Sequence, residues 1–199
     1  RWTASMSLPG SRPRRLPPVL VLVWGLPSAV LAGERVYQFR TVEDPQAVEP
    51  GGCQAAPFEV NVRLPASIFV REAGGGKKGR GGERREGTAL ACARITDRSF
   101  AEGSTADFYV RFELPEGHFT ALGKCTIVSN GVPRPGVVLT SCALKLTEFP
   151  AGYVGGFATS SSIFNPRGLP GYNTGSFWTV RAFEPEPAAA PPRAPQPRP

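Results

Sequence analysis

The sequence predicts an all-β protein, an antiparallel β-sandwich or barrel of about eight or nine strands that disulfide bonds hold together. Three observations predict it: apolar residues recur at every second position, Pro and Gly interrupt nearly every gap between such runs, and four cysteines follow an export signal. A strand buries every second side chain, so this alternation indicates strands with one face on a core and one in water. Such strands are typical of antiparallel sheets, and no window has the pattern of an amphipathic helix.

The first 32 residues have the organisation of a secretory signal peptide. Three arginines, Arg12, Arg14 and Arg15, precede an apolar run over residues 19–32, which ends in Val-Leu-Ala, a small-residue cleavage pattern. Residues 1–5 precede the first methionine and are interpreted as sequence upstream of the true start. Cleavage would leave a secreted or periplasmic chain, in which no apolar stretch approaches the roughly 20 residues that a membrane span requires.

Two runs show the alternation most clearly. Over residues 58–64, Phe, Val, Val and Leu alternate with Glu, Asn and Arg, and over residues 107–114, Phe, Val, Phe and Leu alternate with Asp, Tyr, Arg and Glu. Seven other segments between turn residues are strand candidates. They are residues 36–41, 67–71, 88–96, 119–128, 137–147, 153–164 and 176–183. The sequence therefore predicts a single β domain over residues 33–184.

A low-complexity insert interrupts this domain. Residues 74–87 read GGGKKGRGGERREG, and nothing in them is apolar, so burial cannot offset the entropy lost on ordering so many glycines. We therefore expect a flexible Gly/Arg/Lys-rich loop at residues 72–87, with a basic contact site for a heparin-like, lipid or nucleic-acid partner as the alternative. Residues 185–199 are rich in Pro and Ala and predict a disordered tail.

The formal net charge of +7 lies mostly outside the predicted folded part. The leader has four Arg and no acidic residue, so its removal leaves 19 basic and 16 acidic residues. Without residues 71–86, which contain most of the insert, and the tail from residue 185 onward, 11 basic and 12 acidic residues remain. Because phosphate recognition requires a basic face, this near-neutral body argues against a nucleic-acid partner.

The two C-terminal cysteines are predicted to pair across a hairpin. Turn residues at 130–136 separate two β-rich runs, and a symmetric hairpin centred in this turn pairs residues whose numbers sum to 267. That register places Cys125 opposite Cys142 and Val128 opposite Leu139. Directly opposed residues at a non-hydrogen-bonded pair lie about 4.5 Å apart at Cα, which is close to the short end of disulfide geometry.

By elimination, Cys53 is predicted to pair with Cys92 and to close a long loop around the insert. A metal site is not indicated, because no Cys-X-X-Cys occurs and the spacings of the four cysteines are 39, 33 and 17. Export to an oxidising compartment favours disulfides over metal ligands for an even number of cysteines.

Groups able to perform catalysis are scarce. His118 is the only histidine, which excludes two-histidine metal sites and makes any Ser-His-acid triad depend on one turn residue. Glu113 and Glu116 could form an acid/base pair, but carboxylates beside a turn are commonplace. Neither GxSxG nor GxxxxGK[ST] occurs, so the sequence contains no esterase nucleophile motif and no phosphate-binding loop of that type. We therefore favour binding over catalysis, without a cofactor.

The stretch GGFATSSSIFNP is the most distinctive polar segment, with consecutive hydroxyls flanked by aromatics. In a strand, Ser160 and Ser162 share one face while Thr159 lies on the other. These hydroxyls are predicted either to line a ligand site or to pack within a crowded interior. Tyr172 and Trp178 complete the candidate ligand-binding residues, with a core position as the alternative for Trp178.

The first hypothesis is an exported, non-catalytic β-sandwich or barrel that binds a protein, a glycan or a small ligand at the cell envelope or outside the cell. The second is a small-ligand carrier or an enzyme that uses a hydroxyl-lined barrel interior. The third is a structural subunit of a surface assembly, joined by strand addition. A deep pocket with inward hydroxyls would favour the second hypothesis, whereas a solid apolar interior would remove it.

Overall fold

A computed structural model of the chain describes residues 33–47, 52–71 and 82–185. These residues form a closed antiparallel barrel whose eight strands pair in sequence order. The strands are β1 (Glu34–Glu43), β2 (Val62–Arg71), β3 (Glu83–Arg94), β4 (Thr105–Leu114), β5 (Gly117–Ser129), β6 (Val138–Glu148), β7 (Gly155–Phe164) and β8 (Gly175–Phe183). One turn of 3-10 helix, Cys53–Ala55, precedes β2. The predicted all-β, antiparallel, disulfide-linked fold is confirmed.

Pairing of the first and last strands decides between the sandwich and the barrel. β1 and β8 run antiparallel along their whole length, with Phe39 opposite Trp178 and Thr41 opposite Ser176. Each of the eight strands therefore has two hydrogen-bonded neighbours, which satisfies the backbone N–H and C=O groups that an open sheet would leave at its edges.

The segment around Pro65 forms one strand where the sequence predicts two, at residues 58–64 and 67–71. β2 runs without a break through Pro65, which lies opposite Leu90 of β3. The Pro65 carbonyl accepts a hydrogen bond from Asp44 N just beyond the end of β1, so the missing N–H of Pro65 falls where no β1 partner remains. The ladder therefore tolerates this proline.

The third strand begins earlier than the predicted start at residue 88. β3 starts at Glu83, so residues 83–87 of the predicted loop pair with β2, where Arg71 lies opposite Glu83. The side chain of Glu83 also accepts a 3.0 Å hydrogen bond from Arg40 Nε on β1. Charged side chains can face water on the outside of this hairpin, because the hydrogen bonds between the strands already pair the backbone N–H and C=O groups. Residues 72–81, the predicted leader and residues 186–199 lie outside the described part of the chain.

The β5–β6 hairpin has the predicted cysteine register and two register shifts, one of them next to its turn. Cys125 lies opposite Cys142, as predicted. The predicted pairing of Val128 with Leu139 is wrong, because Leu139 lies opposite Ser129. The register shifts between Ile127 and Ser129, so Val128 is the extra residue of a β-bulge next to the turn.

Both predicted disulfides are present. Cys125 and Cys142 join β5 to β6 with their Cα atoms 4.0 Å apart, and their side chains point into the barrel. Cys53 and Cys92 join the 3-10 turn to β3, with a Cα separation of 5.9 Å. The second bond fastens residues 52–61 against the outside of the barrel, where Tyr109 of β4 is buried in a small apolar cluster. Two disulfides are compatible with an oxidising compartment.

Aromatic side chains fill the barrel at the end where the chain enters β1 and leaves β8. Phe112 and Phe119 are fully buried there, and the ring of Phe39 contacts that of Phe112 at a centroid distance of 5.0 Å. The hydroxyls of Tyr37 and Tyr153 lie 2.7 Å apart. Burial, reinforced by this hydrogen bond, raises the pKa of Tyr37 well above its usual value. We call these five residues the aromatic plug.

Candidate ligand cavity

The barrel interior is not filled at the end opposite the aromatic plug. The β1–β2, β3–β4, β5–β6 and β7–β8 connections surround an opening there, which we call the mouth. Inside it lies a cavity in which the centres of water-sized molecules can occupy about 90 Å³. One water needs about 10 to 15 Å³ on that measure, so the cavity has room for a small organic molecule.

Small side chains on β3 create this space. The inward-facing positions of β3 near the mouth are Ala89, Ala91 and Ala93, and Ala66 of β2 faces the same cavity. A methyl group reaches only a short way towards the barrel axis, so four alanines on adjacent strands leave a void. The wall also includes Val62, Leu64, Ala106, Phe108, Val110, Ile127 and Cys125. We call the surface formed by β2–β5 the apolar wall.

The opposite side of the cavity has a row of hydroxyl groups. Thr41, Ser176, Ser162 and Thr140 lie directly opposite one another in register across β1, β8, β7 and β6, and all four line the cavity. Directly paired residues of adjacent strands point to the same face of a sheet, so their side chains form one row. We call these four residues the hydroxyl row.

Two members of the hydroxyl row are hydrogen-bonded to neighbouring side chains and two are not. Thr41 Oγ1 accepts a hydrogen bond from Trp178 Nε1 at 3.2 Å. The Ser162 hydroxyl lies 3.0 Å from that of the preceding inward serine on β7. Within the described residues, the hydroxyls of Thr140 and Ser176 have no side-chain or backbone partner, and neither is sealed from solvent. Both can therefore hydrogen-bond to a molecule in the cavity.

Among the described residues that line the cavity, only Glu43 and Asp97 bring charge to it, and both are acidic. Asp97 stands at the mouth, where the Ser99 hydroxyl donates a 2.5 Å hydrogen bond to its carboxylate. This bond, with those from the backbone N–H groups of Ser99 and Ala101, holds the pKa of Asp97 below its usual range. Asp97 is therefore ionised at neutral pH.

An aromatic pair flanks the mouth. Phe100 lies in the β3–β4 connection with a φ of 52°, a left-handed conformation that is uncommon for a bulky side chain. Its ring contacts that of Phe164 at the end of β7, with centroids 5.8 Å apart. Neighbouring hydrogen bonds fix this connection, since Asn130 Nδ2 donates to the Ser99 carbonyl at 2.8 Å. The fixed loop keeps the Phe100 ring at the mouth.

The structure brings three of the five sequence-predicted site residues together. Ser160, Ser162 and Trp178 point into the barrel, with Ser160 directly opposite Trp178. Thr159 does not line the cavity: it is exposed on the outer face, because successive residues of a strand alternate between faces. Tyr172 also lies outside the cavity lining, in the β7–β8 connection, where its carbonyl accepts a hydrogen bond from a side-chain amide.

Three members of the hydroxyl row, Thr41, Thr140 and Ser176, are not among the residues predicted from sequence. Each occupies an inward position of an alternating strand, which is a signal that the sequence does contain. Their adjacency is not readable, however, because it depends on which strands pair. Thr41 and Ser176 are 135 residues apart in the chain and meet only where the barrel closes.

The residues considered for catalysis lie away from the cavity. His118 is exposed at the start of β5, opposite Glu113 of β4, at the plugged end of the barrel. Glu116 lies in the tight β4–β5 connection at the same end. Within the described ranges, no three His, Cys, Asp or Glu side chains are grouped as a metal site.

Comparison of the chain with protein-family models, curated proteins and solved structures finds no match. In the described part of the chain, no helix combines the length and the apolar character that a membrane crossing would need. One barrel architecture can serve many unrelated activities, so the chemistry of the cavity distinguishes this chain more than its fold does.

Proposed function

We propose that this protein is an exported binding protein that holds a small, mostly apolar molecule inside its barrel. One observation supports this above all: a cavity with an apolar wall on β2–β5 faces a row of four hydroxyls on β6, β7, β8 and β1. Ligand sites commonly combine a large apolar surface with a few well-placed polar groups. The signal-peptide pattern and the two disulfides support export to the periplasm or the cell exterior.

The energetic cost of the cavity also supports a binding role. Protein interiors are normally close-packed, and an unfilled cavity destabilises a fold by about 24 cal/mol per Å³. For a sealed cavity of 90 Å³ this gives about 2 kcal/mol, which is an upper bound here because the cavity opens at the mouth. Larger side chains at Ala89, Ala91 or Ala93 would remove this cost, so a cavity kept open by alanine is understandable if something occupies it.

Fluorescence of Trp178 provides the test. In the full chain with Trp2→Phe and Trp24→Phe, Trp178 is the only tryptophan, and it is a cavity-lining residue. Titration with 1-hexanol should change its emission in a saturable way. Ala91→Leu places three further carbons inside the cavity and should abolish the change, whereas Ala143→Leu, the same substitution on the exposed face of β6, should leave it intact. Equal binding by the two variants would contradict an interior site.

A protein-binding role has one observation in its favour. Phe177 and Val128 are 67% and 55% exposed on the outer face of the barrel near the mouth. Leu139 on β6 and Ile163 on β7 lie on the same face, between β5 and β8. Exposed apolar groups that cluster are typical of contact surfaces. Strand addition has no comparable support, because each of the eight described strands already has two neighbours. If Phe177→Ser abolished the binding of a protein partner that Ala91→Leu preserved, the outer surface would be the binding site.

A further inference from the structure

We infer that the ligand is an uncharged, slender hydrocarbon with an oxygen function, such as an alcohol or a ketone, whose oxygen hydrogen-bonds to Thr140 or Ser176. This inference rests on the proposed function and specifies the chemical class of the molecule that is bound. Its basis is the distribution of polar groups around the cavity. Among the described residues, the two hydroxyls of the row without a partner are Thr140, at its end, and Ser176, and they lie on either side of Ser162.

The free hydroxyls determine what the ligand must offer. A hydroxyl can donate one hydrogen bond and accept others, so Thr140 and Ser176 match either a ketone oxygen or an alcohol. In an apolar surrounding, a polar group that finds no partner carries a desolvation cost. A purely hydrocarbon ligand would exclude water from both hydroxyls without replacing its hydrogen bonds. An oxygen placed at the hydroxyl row would remove that cost.

The charges at the cavity determine what the ligand must lack. The charged side chains among the described lining residues are the carboxylates Glu43 and Asp97, and the arginines Arg98 and Arg167 line an adjoining cleft at the mouth instead, so the cavity itself offers a carboxylate ligand no cation. Farther inside, it would meet alanine, valine and a disulfide without a cation to pair with, and burial of an unpaired charge is costly. A cationic head would find carboxylates only at the rim, at Glu43 and Asp97, because the described lining residues deeper in the cavity carry no negative charge to pair with it.

The depth of each layer orients the ligand. The hydroxyl row lies one layer inside the mouth, below the paired residues Val138 and Phe164, which are two residues nearer the mouth ends of β6 and β7. The next layer inward contains the Cys125–Cys142 disulfide, Ser160 and Trp178. An oxygen at the hydroxyl row therefore leaves the hydrocarbon part to lie along the alanines of β3 and against the Trp178 ring.

The test compares four probes of one length, 1-hexanol, hexane, hexanoate and hexylamine, in the full chain with Trp178 as its only tryptophan. The variant pair Thr140→Val and Ser176→Ala removes both free hydroxyls without breaking a side-chain hydrogen bond among the described residues. It should weaken 1-hexanol binding about five- to tenfold and leave hexane binding within about twofold. The control Thr126→Val with Ser161→Ala makes the same replacements on exposed outer positions and should change neither.

The outcomes separate this inference from the proposed function. If neither hexane nor 1-hexanol perturbs Trp178, the cavity is not a binding site and the proposed function fails. If hexane binds but the hydroxyl variants bind 1-hexanol as tightly as the parent chain, only the ligand class is overturned. Tighter binding of hexanoate or hexylamine than of 1-hexanol would also overturn it. A selective loss of 1-hexanol binding in the hydroxyl variants supports the assignment.

Discussion

Removal of the Cys53–Cys92 disulfide should destabilise the protein more than removal of Cys125–Cys142. The first bond joins residues that are 39 apart in the chain and the second joins residues that are 17 apart. In the chain-entropy model, a longer closed loop restricts the unfolded state more, which gives about 4 kcal/mol for the first bond and about 3 kcal/mol for the second.

The structure adds a second reason for this order. Cys125 and Cys142 lie opposite each other within a continuous ladder, so the hairpin retains its backbone hydrogen bonds without the disulfide. Cys53 lies in a single turn of 3-10 helix, and its bond to β3 fastens residues 52–61 over Tyr109. Without that bond, the segment is free to leave, and the buried outer face of β3 and β4 becomes accessible to water.

The assay compares two double variants, Cys53→Ala with Cys92→Ala and Cys125→Ala with Cys142→Ala. Each is unfolded in guanidinium without reductant, and the free energy of unfolding is extrapolated linearly to water. Thermal unfolding should show the same order, with the midpoint of the first variant roughly 8 to 16 °C below that of the parent chain. A larger loss from the Cys125–Cys142 pair would refute the loop-length reasoning and show that sulfur packing inside the barrel dominates.

Three substitutions test other parts of the barrel. Thr41→Val should cost about 1 to 3 kcal/mol in urea unfolding, because Trp178 Nε1 loses its buried acceptor, and Thr41→Ser should restore most of that loss. Phe112→Ala should cost about 3 to 5 kcal/mol, whereas Phe177→Ala, at a mostly exposed ring, should cost far less; similar losses would contradict the assigned core. Hydrogen bonds from a lysine and an arginine on neighbouring strands hold the pKa of Asp107 below its usual value of about 3.9. The ionised Asp107 side chain therefore contributes its full stabilisation above about pH 3.9, and this contribution is lost as the pH falls through the lower pKa of the folded state. Asp107→Asn should make the free energy of unfolding fall less steeply with decreasing pH in the acid range. An unchanged slope would contradict the ion pair.

Several local features were predictable because they depend on neighbours in the chain. Alternation correctly separates Ser160 and Ser162 from Thr159, and hairpin symmetry correctly pairs Cys125 with Cys142. The errors occur where the ladder departs from regular geometry. A β-bulge at Val128 shifts the register by one residue, and the continuity of β2 through Pro65 depends on where β1 ends.

By itself, the sequence determines most of the strands and the face on which each side chain lies, because a period of two is a property of the local backbone. Hairpin symmetry adds the Cys125–Cys142 pair, and Cys53–Cys92 then follows by elimination. Only the tertiary structure decides that β1 closes on β8, that Thr41 joins Ser176 in one row, and that three alanines of β3 face a void rather than a bulky neighbour. These features depend on strand order and register between distant segments. A cavity is the space that all eight strands together leave unfilled, so no single segment encodes it.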